Sequence, residues 1–269
     1  MNFGLYAAYL GMRSRQQQLD LLANNIANAS TAGFKADRML FRSVVADQNQ
    51  KQQNQNPGNS ASAAGTPSTA TDQNTQSTPV RYGLDVGVVT GQLTDFSPGP
   101  TRETGRSLDI ALDGDGFIAV QTPRGERYTR QGSLTIDNSG QLVTQRGELV
   151  IGDSGPITVP PGNVTFGEDG TIFANGQIAG KLKLVRFNNP NTALIKEGDC
   201  LFAAKGTEQG QEATNTRVLQ GTLESSNVNS LTEMVAMMQN SREFESLQKS
   251  VSTIMNELGR KISNEIGRL

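Results

Sequence analysis

The sequence predicts an α+β fold in which long, coiled-coil-like N- and C-terminal helices flank an all-β central domain of antiparallel hairpins. Three observations carry this expectation. Near both ends, apolar residues recur at alternating spacings of four and three, the seam of a narrow-faced helix. The middle switches to short runs of Val, Ile, Leu and Phe divided by Asp-Gly, Asn-Gly and Ser-Gly dipeptides, the punctuation of hairpins. Between the first helix and this middle, residues 46–79 contain no Val, Leu, Ile, Met or aromatic residue. Such a segment cannot bury enough apolar surface to offset its ordering entropy, so a flexible linker is expected there.

The resulting division is a helix and turn over 1–45, the polar linker over 46–79, the β-rich domain over 80–222 and a helix over 223–269. In the first helix the seam reads Leu5, Tyr9, Met12, Leu19, Ala23 and Ile26, with Gln16 at the skipped place and Leu22 widening it. The helix is expected to end near Asn28 to Thr31, with Gly33 as a left-handed cap. Turns are expected at Asp113-Gly114, Asp115-Gly116, Ser139-Gly140, Asp169-Gly170 and Asn175-Gly176. Strands are expected at Phe117 to Gln121, Ser133 to Asp137, Ile157 to Pro160, Thr171 to Ala174 and Lys181 to Phe187, the last with a phase slip at Val185 that suggests a bulge or strand end. The last helix starts with Ser230 as N-cap and Glu233 three residues on, a capping box. Its seam is Phe244, Leu247, Val251, Ile254 and Leu258, extended upstream by Leu231, Met234 or Val235, Met237 and Met238. Two arrangements fit these narrow stripes: the helices zip together within one chain, or each meets other copies or other proteins.

Composition removes most chemistry. The chain has no histidine, which excludes Ser-His-Asp and Cys-His nucleophiles, His-based zinc sites and imidazole proton shuttles. Cys200 is the sole cysteine, has no partner for an internal disulfide and reads as a small buried apolar residue. A formal charge of −2 argues against nucleic acid or an anionic membrane as the main partner. The N-terminus has no basic stretch followed by an apolar core of the kind a secretory signal needs, and no run of about 18 apolar residues offers a transmembrane helix.

The stretch LANNIANASTAGFK, Leu22 to Lys35, resembles the N-terminal signature of the flagellar basal-body rod and hook family. LESSNVNSLTEMVAMMQNSREFE, Leu223 to Glu245, resembles its C-terminal signature, and Gly114 to Val150 is similar to its central hairpin array. The three matches occur in the family's order. The resemblance implies export through the flagellar type III apparatus without a cleaved signal, then polymerisation in which the terminal helices form the inner tube of an axial structure. The implied partners are other rod subunits, neighbouring axial proteins and the export apparatus, and the implied location is the periplasm-spanning rod. Ile151 to Ile172 and Gly180 to Phe187 look most like the proximal-rod member, with the distal-rod member as runner-up. In that setting Asn24, Asn25 and Asn28 would lie at crowded helix contacts, where buried amides fix register.

The expected assembly residues are therefore Leu19, Leu22, Asn24, Asn25, Ile26 and Asn28 at one end, and Phe244, Leu247, Val251, Ile254 and Leu258 at the other. Catalytic, cofactor and metal residues are not expected. Asp113 and Asp115 suggest a calcium loop, but the twelfth position counted from Asp113 is Arg124, a cation where a bidentate Glu is needed. Asp109, Asp113 and Glu126 are lone carboxylates with no aromatic sugar platform, so they make no glycosidase pair. The glycines form neither a P-loop nor a dinucleotide fingerprint. The reading from a different class is a secreted β-domain that binds a surface ligand and keeps its affinity without either helix.

Overall fold

The computed structural model describes residues 3–44, 86–206, 208 and 210–266. The expected linker, 46–79, lies outside the described residues. Helix α1 (Phe3–Ala27) leads into strand β1 (Asp37–Val44), which pairs antiparallel with β2 (Val86–Thr94) as a two-stranded ribbon. Short strands follow: β3 (Thr101–Glu103), β4 (Ile110–Asp113), β5 (Gly116–Thr122), β6 (Gly125–Thr129), β7 (Leu134–Ile136), β8 (Leu142–Thr144), β9 (Leu149–Gly152) and β10 (Gly155–Pro156). Then come β11 (Val164–Phe166), β12 (Thr171–Ala174), β13 (Gln177–Lys181), β14 (Leu184–Arg186) and a single turn of helix, α2 (Pro190–Ala193). The domain closes with β15 (Leu194–Gly198), β16 (Leu201–Ala204), β17 (Gln211–Glu212), β18 (Arg217–Gln220) and β19 (Thr222–Glu224), and α3 (Ser230–Ile266) ends the described chain. The architecture is α+β, with terminal helices flanking antiparallel β-structure.

Strand β5 organises the main sheet. One edge pairs with β6, and β14 and β9 share the other. Its side chains alternate between two cores, as the period of two requires. Ile118 and Val120 join Leu134, Leu142, Val150, Ile172 and Leu184 in a large aliphatic core. Phe117 and Ala119 face a smaller core with Tyr128, Val185, Phe187 and Phe202. Edge-to-face packing fills the smaller core: Tyr128 and Phe187 have ring centroids 5.0 Å apart, and Phe117 and Phe202 5.8 Å.

These two cores correct the reading of Lys181 to Phe187. The segment is not one strand, because β13 ends at Lys181 and β14 begins at Leu184, opposite Ile118. Alternation does not slip at Val185. Leu184 faces the large core and Val185 the small one, so both parities are apolar because both faces are covered. Ile157 to Pro160 forms no strand either, contributing only an isolated bridge between Thr158 and Gln141. Thr171 to Ala174 is a strand as expected, and Asn175 and Gly176 both take positive φ in the tight turn after it, as a two-residue hairpin loop of matching twist requires. Gly116 is instead the first residue of β5.

Candidate assembly site

The three asparagines that close α1 have separate tasks. Asn25 is 1% exposed, and its amide grips the backbone of one residue across the turn. Its Nδ2 donates to the Asp37 carbonyl at 3.0 Å and its Oδ1 accepts from the Asp37 N–H at 3.1 Å. The side chain thus supplies the pairing that a neighbouring strand would give. Asn28 closes its own helix end: Nδ2 donates to the Asn24 carbonyl at 2.9 Å, and Oδ1 accepts from the Thr31 hydroxyl at 3.3 Å. Asn24 is exposed.

Gly33 takes φ +69°, the left-handed conformation expected of it, but its N–H donates to the Glu224 carbonyl rather than to a carbonyl of α1. A Cβ at this position would lie 2.6 Å from the Arg130 and Gln131 backbone. Its role is close approach to the β-domain. Helix capping is done upstream by Asn28.

Beyond Gly33, three distant segments converge on a buried group of charges. Lys35 donates to Glu224 Oε1 at 2.5 Å and to the Ser97 carbonyl at 2.8 Å. Glu224 Oε2 accepts from Arg130 at 3.1 Å, and its Oε1 also accepts from the Gly99 N–H at 2.9 Å. Arg130 donates a further bond to the Gly114 carbonyl and lies with its guanidinium 5.2 Å from the Phe117 ring centroid. All three charged side chains are buried. Burial opposes ionisation of Glu224, but the charges of Lys35 and Arg130 outweigh it and hold the carboxyl below its ordinary range. Burial, assisted by Arg130, draws the Lys35 ammonium below its ordinary value despite Glu224.

Neighbouring contacts extend this clamp. Lys196 bonds Asp37 at 2.9 Å and the Lys35 carbonyl at 2.7 Å while sitting 3.8 Å from the Phe34 ring centroid, a cation over an aromatic face. Asn227 accepts from the Ala36 N–H at 2.8 Å and donates to the Asp95 carbonyl at 2.8 Å. Lys35, Arg130, Glu224 and Asn227 all stand inside the stretches that carried the family resemblance, yet their partnership was not legible there. The available signal was a lysine after Gly-Phe at one end and a glutamate opening the other.

Helix α3 is capped by Asn229, not Ser230: Asn229 Oδ1 accepts from the Leu231 and Thr232 N–H groups at 3.1 and 3.3 Å. Both helices leave the clamp together and run antiparallel, since Arg15 reaches Glu243 at 2.7 Å and Asn240 at 3.4 Å. At about 100° per residue, Phe244, Leu247 and Val251 lie within about 40° of the buried Asn240 and are half-buried. This face of α3 meets α1 of the same chain. Among the described side chains of α1 the buried ones are Ser14, Leu22 and Asn25. Tyr9, Met12, Leu19, Ala23 and Ile26 point more than about 110° from Ser14. Tyr9 and Ala23 are exposed, and Met12, Leu19 and Ile26 are half-buried. Ile254 is exposed, and the Leu258 side chain lies outside the described residues. Among the described residues no group of three Cys, Asp or Glu side chains is placed to hold a metal ion.

Comparison with known proteins agrees with this layout. Residues 5–35 match the family described as "Flagella basal body rod protein", residues 111–174 "Flagellar hook protein FlgE/F/G D1 domain" and residues 219–264 "Flagellar basal body rod FlgEFG protein C-terminal". The chain is 34% identical to the flagellar basal-body rod protein FlgF of Caulobacter vibrioides over the whole of both chains. It is 33% identical to FlgG of Bacillus subtilis, covering 94% of this chain and 97% of that one, and 34% identical to FlgF of Escherichia coli, covering 95% and 96%. The antiparallel helix pair rooted on a β-domain, with full-length similarity at this level, has one reading: the chain belongs to the flagellar basal-body rod protein family.

Proposed function

We propose that this chain, a structural subunit of the bacterial flagellar basal-body rod, is exported unfolded through the flagellar type III apparatus, polymerises through its terminal helices and carries torque from motor to hook. The observation that supports this most directly is the clamp of Lys35, Glu224 and Arg130, which fixes the roots of both helices to the β-domain. A subunit that transmits torque needs a joint that does not swivel. A buried ion pair serves as such a joint because turning either helix would strand a charge away from water.

The assembly residues remain those nominated from the sequence: Leu19, Leu22, Asn24, Asn25, Ile26 and Asn28 on α1, and Phe244, Leu247, Val251, Ile254 and Leu258 on α3. Some act by building the helix pair and others by meeting neighbours. The chain has a structural rather than an enzymatic task and needs no cofactor. Of the two rod positions, the proximal one is favoured, on the strength of Ile151 to Ile172 and Gly180 to Phe187; relatives of both the FlgF and FlgG names match at similar identity.

Electron cryo-microscopy of isolated basal bodies tests this reading. Density for α1 and α3 in the inner tube near the base is the expected result, and density beside the hook would move the chain to the distal rod. Absence of the chain from the axial structure would overturn the proposal.

A further inference from the structure

Oxidation chemistry in this chain falls chiefly to methionine. The sequence has no Trp and no His, and its sole thiol, Cys200, is buried. Burial pushes that thiol's pKa up, against the opposite pull of Lys196 and Arg146, and so holds it away from the reactive thiolate. Of the seven methionines, Met1 lies outside the described residues, and Met12, Met39 and Met237 are half-buried. Met234, Met238 and Met255 are 43, 59 and 52% exposed. Met234 and Met238 stand one turn apart on α3, so they share a side of the helix with the exposed Leu231 and Val235. At about 100° per residue these four lie about 120–180° round from the buried Asn240, whereas Met237 lies only about 60° from it. Met255 is ~25 Å further along the helix and about 100° round from Met238.

We propose that Met234 and Met238 form an oxidation-sensitive site, at which reaction with a peroxide keeps a folded copy of this chain out of the rod. The peroxide transfers an oxygen atom to each thioether sulfur, which becomes a sulfoxide; the sulfur is oxidised, the peroxide is reduced to water, and no bond of the chain breaks. Both side chains are exposed in the single copy and neither belongs to the two cores of the β-domain, so the fold tolerates the change. On a face that a neighbour covers, the same change is costly. A flexible apolar group that adapts to its surroundings becomes a polar acceptor with no donor opposite it. Oxidised copies therefore fold but do not assemble. This inference rests on the rod reading, which supplies the covering neighbour, and adds to it a modification site and the class of reagent that acts there.

Hydrogen peroxide is the probe. In the purified full chain, peptide masses should show sulfoxide at Met234 and Met238 forming at least ~3-fold faster than at Met237, with circular dichroism unchanged. Equal rates at the three, or unfolding on oxidation, would overturn the proposal. In a bacterium lacking the unmodified copy, Met234→Gln with Met238→Gln puts an uncharged polar group at both positions and should cut the chain found in isolated basal bodies at least ~10-fold without any oxidant. Met234→Leu with Met238→Leu should incorporate normally, and should continue to do so after a peroxide pulse that stops the unmodified chain. Normal incorporation of the glutamine pair, or a leucine pair as sensitive as the unmodified chain, would overturn the proposal and leave the rod reading standing. Should the leucines themselves hinder incorporation, the unmodified chain decides. After the pulse, copies in basal bodies should hold intact thioethers at Met234 and Met238 and copies outside them sulfoxides, whereas equal sulfoxide in both pools would overturn the proposal. Absence of the unmodified chain from basal bodies without oxidant would instead sink the rod reading, and this inference with it.

Discussion

Lys35 and Glu224, 189 residues apart in the chain, meet as a buried ion pair with 2.5 Å between nitrogen and oxygen. One stands just after the first helix and the other just before the last, so a single contact joins the roots of both. Removing one partner leaves the other charged and without full compensation in a dry site. Glu224→Ala is therefore expected to destabilise the folded chain by about 3–5 kcal/mol, read as a shift in the urea unfolding free energy. A loss below about 1 kcal/mol would show that the pair contributes little.

The same site makes stability depend on acid. The Glu224 pKa in the folded chain lies below its ordinary value of 4.5, with Lys35 and Arg130 overcoming the opposing effect of burial. A depressed carboxyl contributes stability that is present above its unfolded pKa and lost as pH falls through the folded value. Burial likewise opposes ionisation of Asp95, but hydrogen bonds from Ser97 and the charge of Arg38 lower its pKa, which adds to the trend. Urea midpoints measured from pH 7 down to pH 3 should fall below about pH 4.5, and the fall should be shallower in Glu224→Gln. An unchanged slope in that variant would assign the acid sensitivity elsewhere.

Of the two neighbouring asparagines, only Asn25 should matter to the isolated fold. Asn25→Ala strands the Asp37 N–H and carbonyl in a buried place, at a cost of about 2–4 kcal/mol for the two groups. Asn24→Ala changes an exposed side chain and should stay within about 0.5 kcal/mol. Calorimetric melting of the two variants side by side checks the contrast, and equal shifts would contradict it.

Gly33→Ala combines a left-handed φ with a Cβ pressed into the Arg130 and Gln131 backbone. Neither part can relax by side-chain rotation. A loss of at least ~2 kcal/mol is expected in the same melting experiment. A melting temperature equal to that of the unsubstituted chain would mean that the turn shifts freely.

Val251→Asp puts a charge on the α3 face that meets α1. Incorporation into basal bodies should stop, while the β-domain, whose two cores contain no residue of α3, keeps its near-ultraviolet circular dichroism. Normal incorporation would remove Val251 from the assembly residues.

Much of this molecule was readable along the chain. Hairpin turns such as Asn175-Gly176 and the long α3 follow from local chemistry: positive φ at the turn, and apolar spacing along the helix. What failed to read was parity and pairing. Val185 looked like a slip because a strand covered on both faces has no polar side to mark its phase. Ser230 looked like the cap of α3, and Asn229, one residue earlier, does that work with its side-chain oxygen.

The sequence by itself determined the two terminal helices, the all-β middle and, through its end signatures, the family. It also ruled out histidine chemistry outright. Only the tertiary structure decided which helix faces are covered. On α1 the regular stripe of Tyr9, Met12 and Ile26 is turned away from Ser14, and the buried face includes a serine and an asparagine. Periodicity determines which residues share a side of a helix, but what packs against that side depends on the other elements present. The clamp is the same kind of fact. A lysine, an arginine and a glutamate far apart in the chain are individually ordinary surface residues, and they become a buried joint only when folding carries all three to one place out of water.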